Sequence, residues 1–359
     1  MNLIVCKING SNEFEALKII DNAISVIWVQ RYNEAGEFEI YMRATSELLR
    51  LFAEERYIVR YDSNVVMISE KVVLTTDSEN GNFITISGRS IESVLGRRVA
   101  EHLYNYSDIN AETFIRSIVR ASVGDTSESN RQIGVITMGS SSGLTGDISN
   151  IQVIGQTILD TVISIAKDRN YGFAMRYNSS IQKVVFGVYV GTDRSLDQDR
   201  VPPVVFSPEY DNLASSTYEN DATNAKNFAY ISGEKVNNAP FIVSTPTSNI
   251  PRGIARREMF IEAGENTQRG SLTDTQYTNV LRTRGNNSLA QLRNAVNFSG
   301  EVLYQSQAKF GVDYFMGDKV QVDNGYGINA SAYVIEVTEV DDETGYSVHP
   351  TLSKFTVQS

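Results

Sequence analysis

Cysteine and histidine are almost missing from this sequence. Its one cysteine, Cys6, excludes an internal disulfide. A thiol beside the apolar run Leu3-Ile4-Val5 reads as a small buried hydrophobe rather than a nucleophile. The two histidines have no partner spacing. His349 falls in an alternating run and His102 beside Tyr104 and Tyr106, so both read as structural. HExxH, CxxC, GxxxxGK[ST] and GxGxxG do not occur. Zinc peptidase, P-loop and dinucleotide chemistry thereby lose their best support. No apolar run approaches the length of a membrane span, and MNLIVCKINGS lacks a basic region followed by a sustained apolar core. The expectation is a chain made in a cytoplasm without export, with no membrane insertion of its own.

Basic residues are also in deficit, 32 Lys and Arg against 43 Asp and Glu, for a net charge of −11. That argues against sequence-independent nucleic-acid binding, which relies on cations neutralising phosphates, and would suit a surface past which DNA slides. The acidic run Asp193, Asp197, Asp199 lacks the alternate-residue oxygens and turn glycine of a calcium loop. Nothing selects a carboxylate pair for glycoside hydrolysis. We therefore expect no catalytic residue, no metal and no cofactor. A length of 359 residues suits two to four domains, and 41% hydrophobic with 21% charged residues are globular values.

What is present is mostly β pattern. Residues 319–322, 330–340 and 346–352 read as three antiparallel strands. In the second, Ala332 and Val334 and then, after a slip, Ile335 and Val337 take the apolar faces. The turns are Asp323-Asn324-Gly325 and Asp341-Asp342-Glu343-Thr344-Gly345, the latter ending on a residue that tolerates positive φ. The N-terminal part echoes this. Tyr57 to Asp62 is a short strand ending in Asp, residues 65–75 a longer one containing Glu70 as the other contains Glu336. The turn Asp77-Ser78-Glu79-Asn80-Gly81 and a strand over 83–88 follow. Either the chain carries two related β modules or two ordinary meanders look alike, and the pattern leaves both open.

Strands at 25–32 and 37–43 form a hairpin around Asn33-Glu34-Ala35-Gly36, with Trp28 as a core anchor. Thr45 and Ser90 cap short helices reaching Ala53 and Val99, the second ending in Arg97-Arg98. Amphipathic helices follow at 111–121, capped by Asn110, and at 156–169. Between them 124–150, rich in Ser, Gly and Asn, reads as an exposed loop around a strand at 133–138. Strands at 171–177 and 182–190 complete an α+β segment, and 191–208, with Pro202-Pro203, reads as a linker. β character returns over 206–233. Helices are expected at 254–263, from Thr273 with its capping-box partner Gln276, and at 288–298. Residues 300–305 open the last β module.

Several runs in order resemble the tail-hub family of long-tailed phages, related to the central baseplate hub of contractile-tailed phages. They are WVQRYNEAGEFEIYM, YIVRYD, ISGRSIESVLGRRV, GVDYFMGDKVQV and VIEVTEVDDETGYSVHPTL, with DNLASSTYENDATNAKNFAYISGE and RREMFIEAGE between. In the first half the match rests on Trp28, Gly36, Phe38, Gly88, Arg89, Arg97 and Arg98 as structural signature residues. In the second it rests on Asp313, Tyr314, Gly317, Asp318, Glu336, Gly345 and Tyr346.

The resemblance implies an α+β multidomain fold with two tube-like antiparallel β-barrel domains, an inserted α+β domain and a helical insert. The corresponding division is 1–101 for the first barrel module, 102–200 for the α+β domain, 201–249 plus 300–359 for the second barrel module, and 250–299 for the helical insert. It implies a non-enzymatic homotrimer that closes the distal end of the tail tube, matches a threefold tip to a sixfold tube and lines the DNA channel with an acidic wall. Implied partners are a ring of distal tail protein or the tube itself, the tape-measure protein C-terminus, and tip, fibre or spike proteins, with DNA only in passage. The implied place is the virion, at the tail tip or baseplate, after synthesis in the host cytoplasm. Many relatives carry a C-terminal lytic or receptor-binding extension. This sequence stops at Ser359, so those activities are expected in another polypeptide. The competing readings are a tail-tip cell-wall hydrolase and a carbohydrate-binding adhesin module.

Overall fold

The computed structural model describes residues 1–79, 81–236, 238–263, 269–292, 295–302, 308–323, 325–326 and 329–353. The chain divides into two compact units, Met1–Ser216 with Ser299–Ser353, and Thr217–Phe298.

In the first unit the chain begins with β1 (Leu3–Ile8), β2 (Phe14–Ile20), β3 (Ser25–Arg31) and β4 (Glu37–Arg43), then helix α1 (Ser46–Leu51), β5 (Tyr57–Arg60), β6 (Val66–Asp77) and β7 (Gly81–Ser90). Strand alternation does the sorting. On β4, Phe38, Ile40 and Met42 are buried while Glu37, Glu39 and Arg43 are exposed. These apolar faces meet Leu3, Trp28, Ile58, Met67 and Ile86 in one core. The Thr45 hydroxyl caps α1 by accepting from Leu48 N at 3.2 Å. The expected helix after Ser90 is instead a 3-10 helix over Ile91–Arg97, without a side-chain cap. Ser90 Oγ is engaged elsewhere, accepting from Gly36 N at 2.8 Å.

The α+β segment holds β8 (Tyr104–Asn110), α2 (Ala111–Val123), β9 (Ile136–Met138), β10 (Asp147–Val153), α3 (Ile158–Arg169), β11 (Gly172–Asn178) and β12 (Lys183–Tyr189). Phe114, Ile115, Ile118 and Val119 bury the α2 stripe, and the Asn110 side chain accepts from Thr113 N at 3.0 Å. The stretch 124–150 is more than an exposed loop. It supplies β9, parallel to β12, and β10, antiparallel to β8. The buried Glu112 carboxylate pins its middle, accepting from Ser142 N, Leu144 N and Ser141 Oγ at 2.6, 2.8 and 2.9 Å.

The expected linker at 191–208 is likewise tied down. It contains β13 (Asp193–Arg194) and β14 (Val205–Phe206), both paired in parallel with a strand of the second module.

The second unit is entered through β15 (Leu213–Asp221), and comprises β16 (Phe228–Val236), β17 (Ala239–Thr245), β18 (Glu258–Glu262) and α4 (Asp274–Gln291), with exit through β19 (Ala295–Val302), which pairs with β15. It is therefore not a purely helical insert. The expected helix at 254–263 is a 3-10 turn, Gly253–Ala255, followed by β18, whose alternation Glu258, Phe260, Glu262 suits a strand parallel to β16. The expected helix at 288–298 is the end of α4 followed by β19, with residues 293–294 outside those described. Thr273 forms its capping box with Gln276. Tyr277 and Leu281 of α4 bury against Ala229, Ile231 and Val243 of the sheet.

Back in the first unit, β20 (Lys319–Asp323), β21 (Asn329–Asp342) and β22 (Gly345–Leu352) close the chain. Of the expected turns, Asn324 and Asn80 lie outside the described residues. One sheet of twelve strands runs β13-β20-β21-β3-β4-β7-β6-β5-β1-β2, with β14 on β20 and β22 on β21. The two β modules thus share one sheet, and among the described residues no sheet closes into the two separate barrels expected.

The modules do share a local plan. Each is a short, a long and a third strand, antiparallel throughout. Each long strand carries one β-bulge on its ladder with the third strand, at Glu70 in β6 and at Ile335 in β21. Counted back from the turn pairs Asp77–Gly81 and Asp342–Gly345, the two bulges fall at the same place. The slip in the 330–340 pattern is this bulge.

Candidate functional site

Among the described residues no group of His, Cys, Asp and Glu could hold a metal ion, and the candidate site is the joint where β modules meet edge to edge. β3 pairs antiparallel with β21, from Val26 opposite Asp341 to Arg31 opposite Glu336. Trp28, fully buried, sits opposite Phe38 on one side and Glu339 on the other, its ring 6.1 Å from that of Phe38. Glu339 is buried 2.7 Å from Arg60. It also accepts from Gln30 Nε2 at 3.2 Å and from the Tyr346 hydroxyl. Arg60 lies 5.9 Å from the Trp28 ring and 2.6 Å from Asp62. Burial alone would lower the Arg60 pKa, but Glu339 and Asp62 raise it above its ordinary value. Burial and the Glu339 charge push the Tyr346 phenol up. At the end of the seam Glu336 binds Arg31 at 2.6 Å, and Arg31 reaches Glu37 at 2.7 Å. Trp28, Glu336 and Tyr346 are therefore brought together. Gly345, at φ +118°, turns the hairpin that presents Tyr346.

A second group surrounds the bulge of β6. Arg89 makes a bidentate pair with Glu70 at 2.7 and 2.8 Å, and Arg97 reaches Glu70 at 3.4 Å and Glu55 at 2.7 Å. The Arg89 hydrogen bonds hold Glu70 below the usual carboxylate range, against its partial burial. Gly88 lies opposite the bulge, where a Cβ would stand 1.9 Å from Ile68 O. A Cβ on Gly36 would stand 2.2 Å from Val29 O. Arg98 points elsewhere, to the carbonyl of Arg131 at 3.2 Å.

The third group opens the second module. Buried Asp318 accepts from Thr192 N, Arg194 Nε and Phe315 N at 2.7, 2.7 and 3.0 Å, which fixes β13 to β20. Tyr314 packs edge-on against Phe206 at 5.5 Å, and Asp313 accepts from Lys309 N at 2.7 Å. Gly317 has φ +86° and lies against Tyr32, 2.2 Å from where its Cβ would be.

Tyr32 was not singled out by the sequence and is the central joint. Its ring is packed by Gly172 and Gly317, its N donates to Ile335 O at 2.8 Å, and its hydroxyl donates to Asn170 O at 2.9 Å. It touches both β modules and the α+β segment. Arg60 and Glu339 were also missed. No local signal marks them, because their pairing spans most of the chain.

Two acids of the 193–199 run are engaged. Asp193 and Asp197 face Lys319 at 3.1 and 3.9 Å, with Asp193 also accepting from Ser195. Among the described residues no group of His, Cys, Asp and Glu is placed to hold a metal ion. An open groove of about 1120 Å³ runs past Arg60, Tyr61, Arg176, Phe315 and Tyr346. Of the acids that line it, Glu339 is bound by Arg60, Gln30 and Tyr346, and Asp62 by Arg60.

These side chains tie strands and loops of the first unit to one another. The fold is similar to that of a tail protein from Neisseria meningitidis MC58, at 13% identity, covering 98% of this chain and 96% of that one with a TM-score of 0.57. It is similar to the prophage MuSo2 43 kDa tail protein from Shewanella oneidensis, at 14% identity, 98% of both chains and a TM-score of 0.58. A chain of the Francisella PdpA-VgrG complex is similar at 11% identity over 100% of this chain and 54% of that one, with a TM-score of 0.58. No curated protein matches. A model of the Siphovirus ReqiPepy6 Gp37-like protein family matches residues 8–352, and the fold is shared nearly end to end with phage tail proteins. The chain therefore belongs to the Siphovirus ReqiPepy6 Gp37-like family.

Proposed function

We propose that the chain is a structural hub at the distal end of a phage tail, three copies of which close the tube and line its DNA channel. The observation that carries this reading is the repeated, bulged β unit joined within one chain through β3 and β21. Two alike modules per chain let three copies meet a sixfold ring, one module to each ring subunit. The barrel wall is then completed between copies, so that a single chain holds its strands as an open sheet. The signature residues serve the joints of this frame, and the division shifts in one place, residues 217–249 joining the insert rather than the second barrel module.

The partners that follow are a distal tail protein ring or tube above, the tape-measure C-terminus within, and tip, fibre or spike proteins below. Similarity to a chain of a VgrG complex supports a spike-type partner. DNA is touched only in passage, along a wall where acidic side chains outnumber basic ones and repel its phosphates. The chain does no chemistry of its own.

Counting copies in purified tails by quantitative mass spectrometry tests this. Three chains per tail are expected for every six of the ring protein, and six or one would overturn the reading. On a peptidoglycan zymogram the purified chain leaves no clearing. A cleared band abolished by a single carboxylate substitution would make it a hydrolase instead.

A further inference from the structure

Among the described residues half of one edge of β6 has no strand on it, and the second module shows what belongs there. On the edge away from β7, β5 pairs with Val66, Met67 and Ile68. Past the bulge, no strand among the described residues continues that edge over 71–77. In the second module β20 stands where β5 does, pairing with residues 329–333 of β21, and β3 follows it on β21 at residues 336–341. On the open stretch of β6, Val73 and Leu74 are 40% and 43% exposed. An apolar, unblocked edge of this kind is a template for strand addition.

The strand that fits is the one standing in the second module where β3 stands in the first. Asp21-Asn22 precedes β3 as Asp211-Asn212 precedes β15, and aligning these pairs sets residues 216–221 of β15 on residues 26–31 of β3. Among the described strands β15 pairs with β19 alone. Laying the β3–β21 register over β15 and β6, bulge on bulge, puts Asp221 opposite Lys71 and Thr217 opposite Thr75. The Arg31–Glu336 pair of the internal seam, 2.6 Å long, returns as Asp221–Lys71 with the signs exchanged. The exchange also discriminates, since swapping strands between the two seams would set Lys71 against Arg31 and Glu336 against Asp221.

We infer that β6 of one copy takes β15 of a second copy as its next strand, in antiparallel register, so that copies join head to tail into a closed ring. The inference rests on the hub reading and names its subunit contact.

Thr75 and Thr217 are both exposed, so cysteines there leave the fold intact. In the full chain carrying Cys6→Ala, a short bismaleimide should link Thr75→Cys/Thr217→Cys copies into covalent dimer and trimer. An equimolar mixture of the two single variants should give dimer only, and each single variant alone should stay uncoupled. Lys71→Glu should cut the yield several-fold, and adding Asp221→Lys should restore it. Dimer from Thr75→Cys alone would mean that β6 pairs with itself, and would overturn the inference. A trimer in native mass spectrometry without cross-linking of the double variant would overturn the contact and leave the hub reading standing. A chain that neither cross-links nor oligomerises, free or in tails, would remove both.

Discussion

Removing the Glu339 carboxylate tests whether the seam between the modules is held as the structure indicates. Glu339→Ala leaves Arg60 buried with only the exposed Asp62 beside it, and strips Gln30 and Tyr346 of their acceptor. Breaking a buried pair from one side costs about 3–5 kcal/mol. Arg60 keeps partial compensation from Asp62, so the lower end, about 3 kcal/mol, is expected. At the urea dependence usual for a domain of this size that is a midpoint shift of about 1–2 M. The probe is built in. Trp28 is the only tryptophan and lies directly opposite Glu339, so its fluorescence reads this seam without a contribution from Thr217–Phe298. Arg60→Met/Glu339→Leu should recover most of the loss, because an apolar pair of similar volume leaves no charge stranded. A single-variant loss below about 1 kcal/mol, or a double variant as damaged as the single one, would refute the reasoning.

Other consequences are local. Gly88→Ala should cost about 1–3 kcal/mol by forcing Ile68 O away at the β6 bulge. Hydrogen exchange should then speed up in β6, and unchanged protection would contradict the packing. Tyr32→Phe should cost about 1 kcal/mol, for the hydrogen bond to Asn170 O, and Tyr32→Ala about 3–5 kcal/mol, read by the same urea titration. Glu112 carries a pH dependence of defined sign. Burial alone would raise its carboxyl, but donation from Leu144 N, Ser142 N and Ser141 Oγ holds it below the usual range. Its folded value is thus depressed, so its contribution is complete above an unfolded value of about 4.3 and lost as pH falls through the folded one. Amides in 139–145 should lose protection over that acid window, and Glu112→Gln should flatten the dependence. A wild-type loop insensitive to acid would contradict it.

Elements whose burial is local were legible in the sequence. The hairpin of β3 and β4, the caps at Thr45, Asn110 and Thr273, and the stripes of α2 and α3 each follow from periodicity or a cap residue. Errors came where the period was short or the partner distant. Met259 and Ile261 are half-buried beside exposed glutamates on β18, a five-residue alternation too brief to outweigh a helical reading of its surroundings. β10, DISNIQV, pairs with the equally polar β8 and shows little apolar contrast. The proline-rich stretch at 191–208 reads as a linker in the sequence because its anchors, Asp318 and Lys319, lie far along the chain. Long separation also hid the Arg60–Glu339 pair and the part played by Tyr32. The bulge in β21 was visible as a break in alternation, yet its match in β6 needed the register.

An electron cryomicroscopy reconstruction of assembled tails, computed without imposed symmetry, tests the central claim most directly. The account predicts three copies about the tube axis, with the β5–β6–β7 and β20–β21–β22 units alternating at equal radius in equivalent contact with a sixfold ring. Six copies, or two units at unlike radii with only one of them touching the ring, would contradict it.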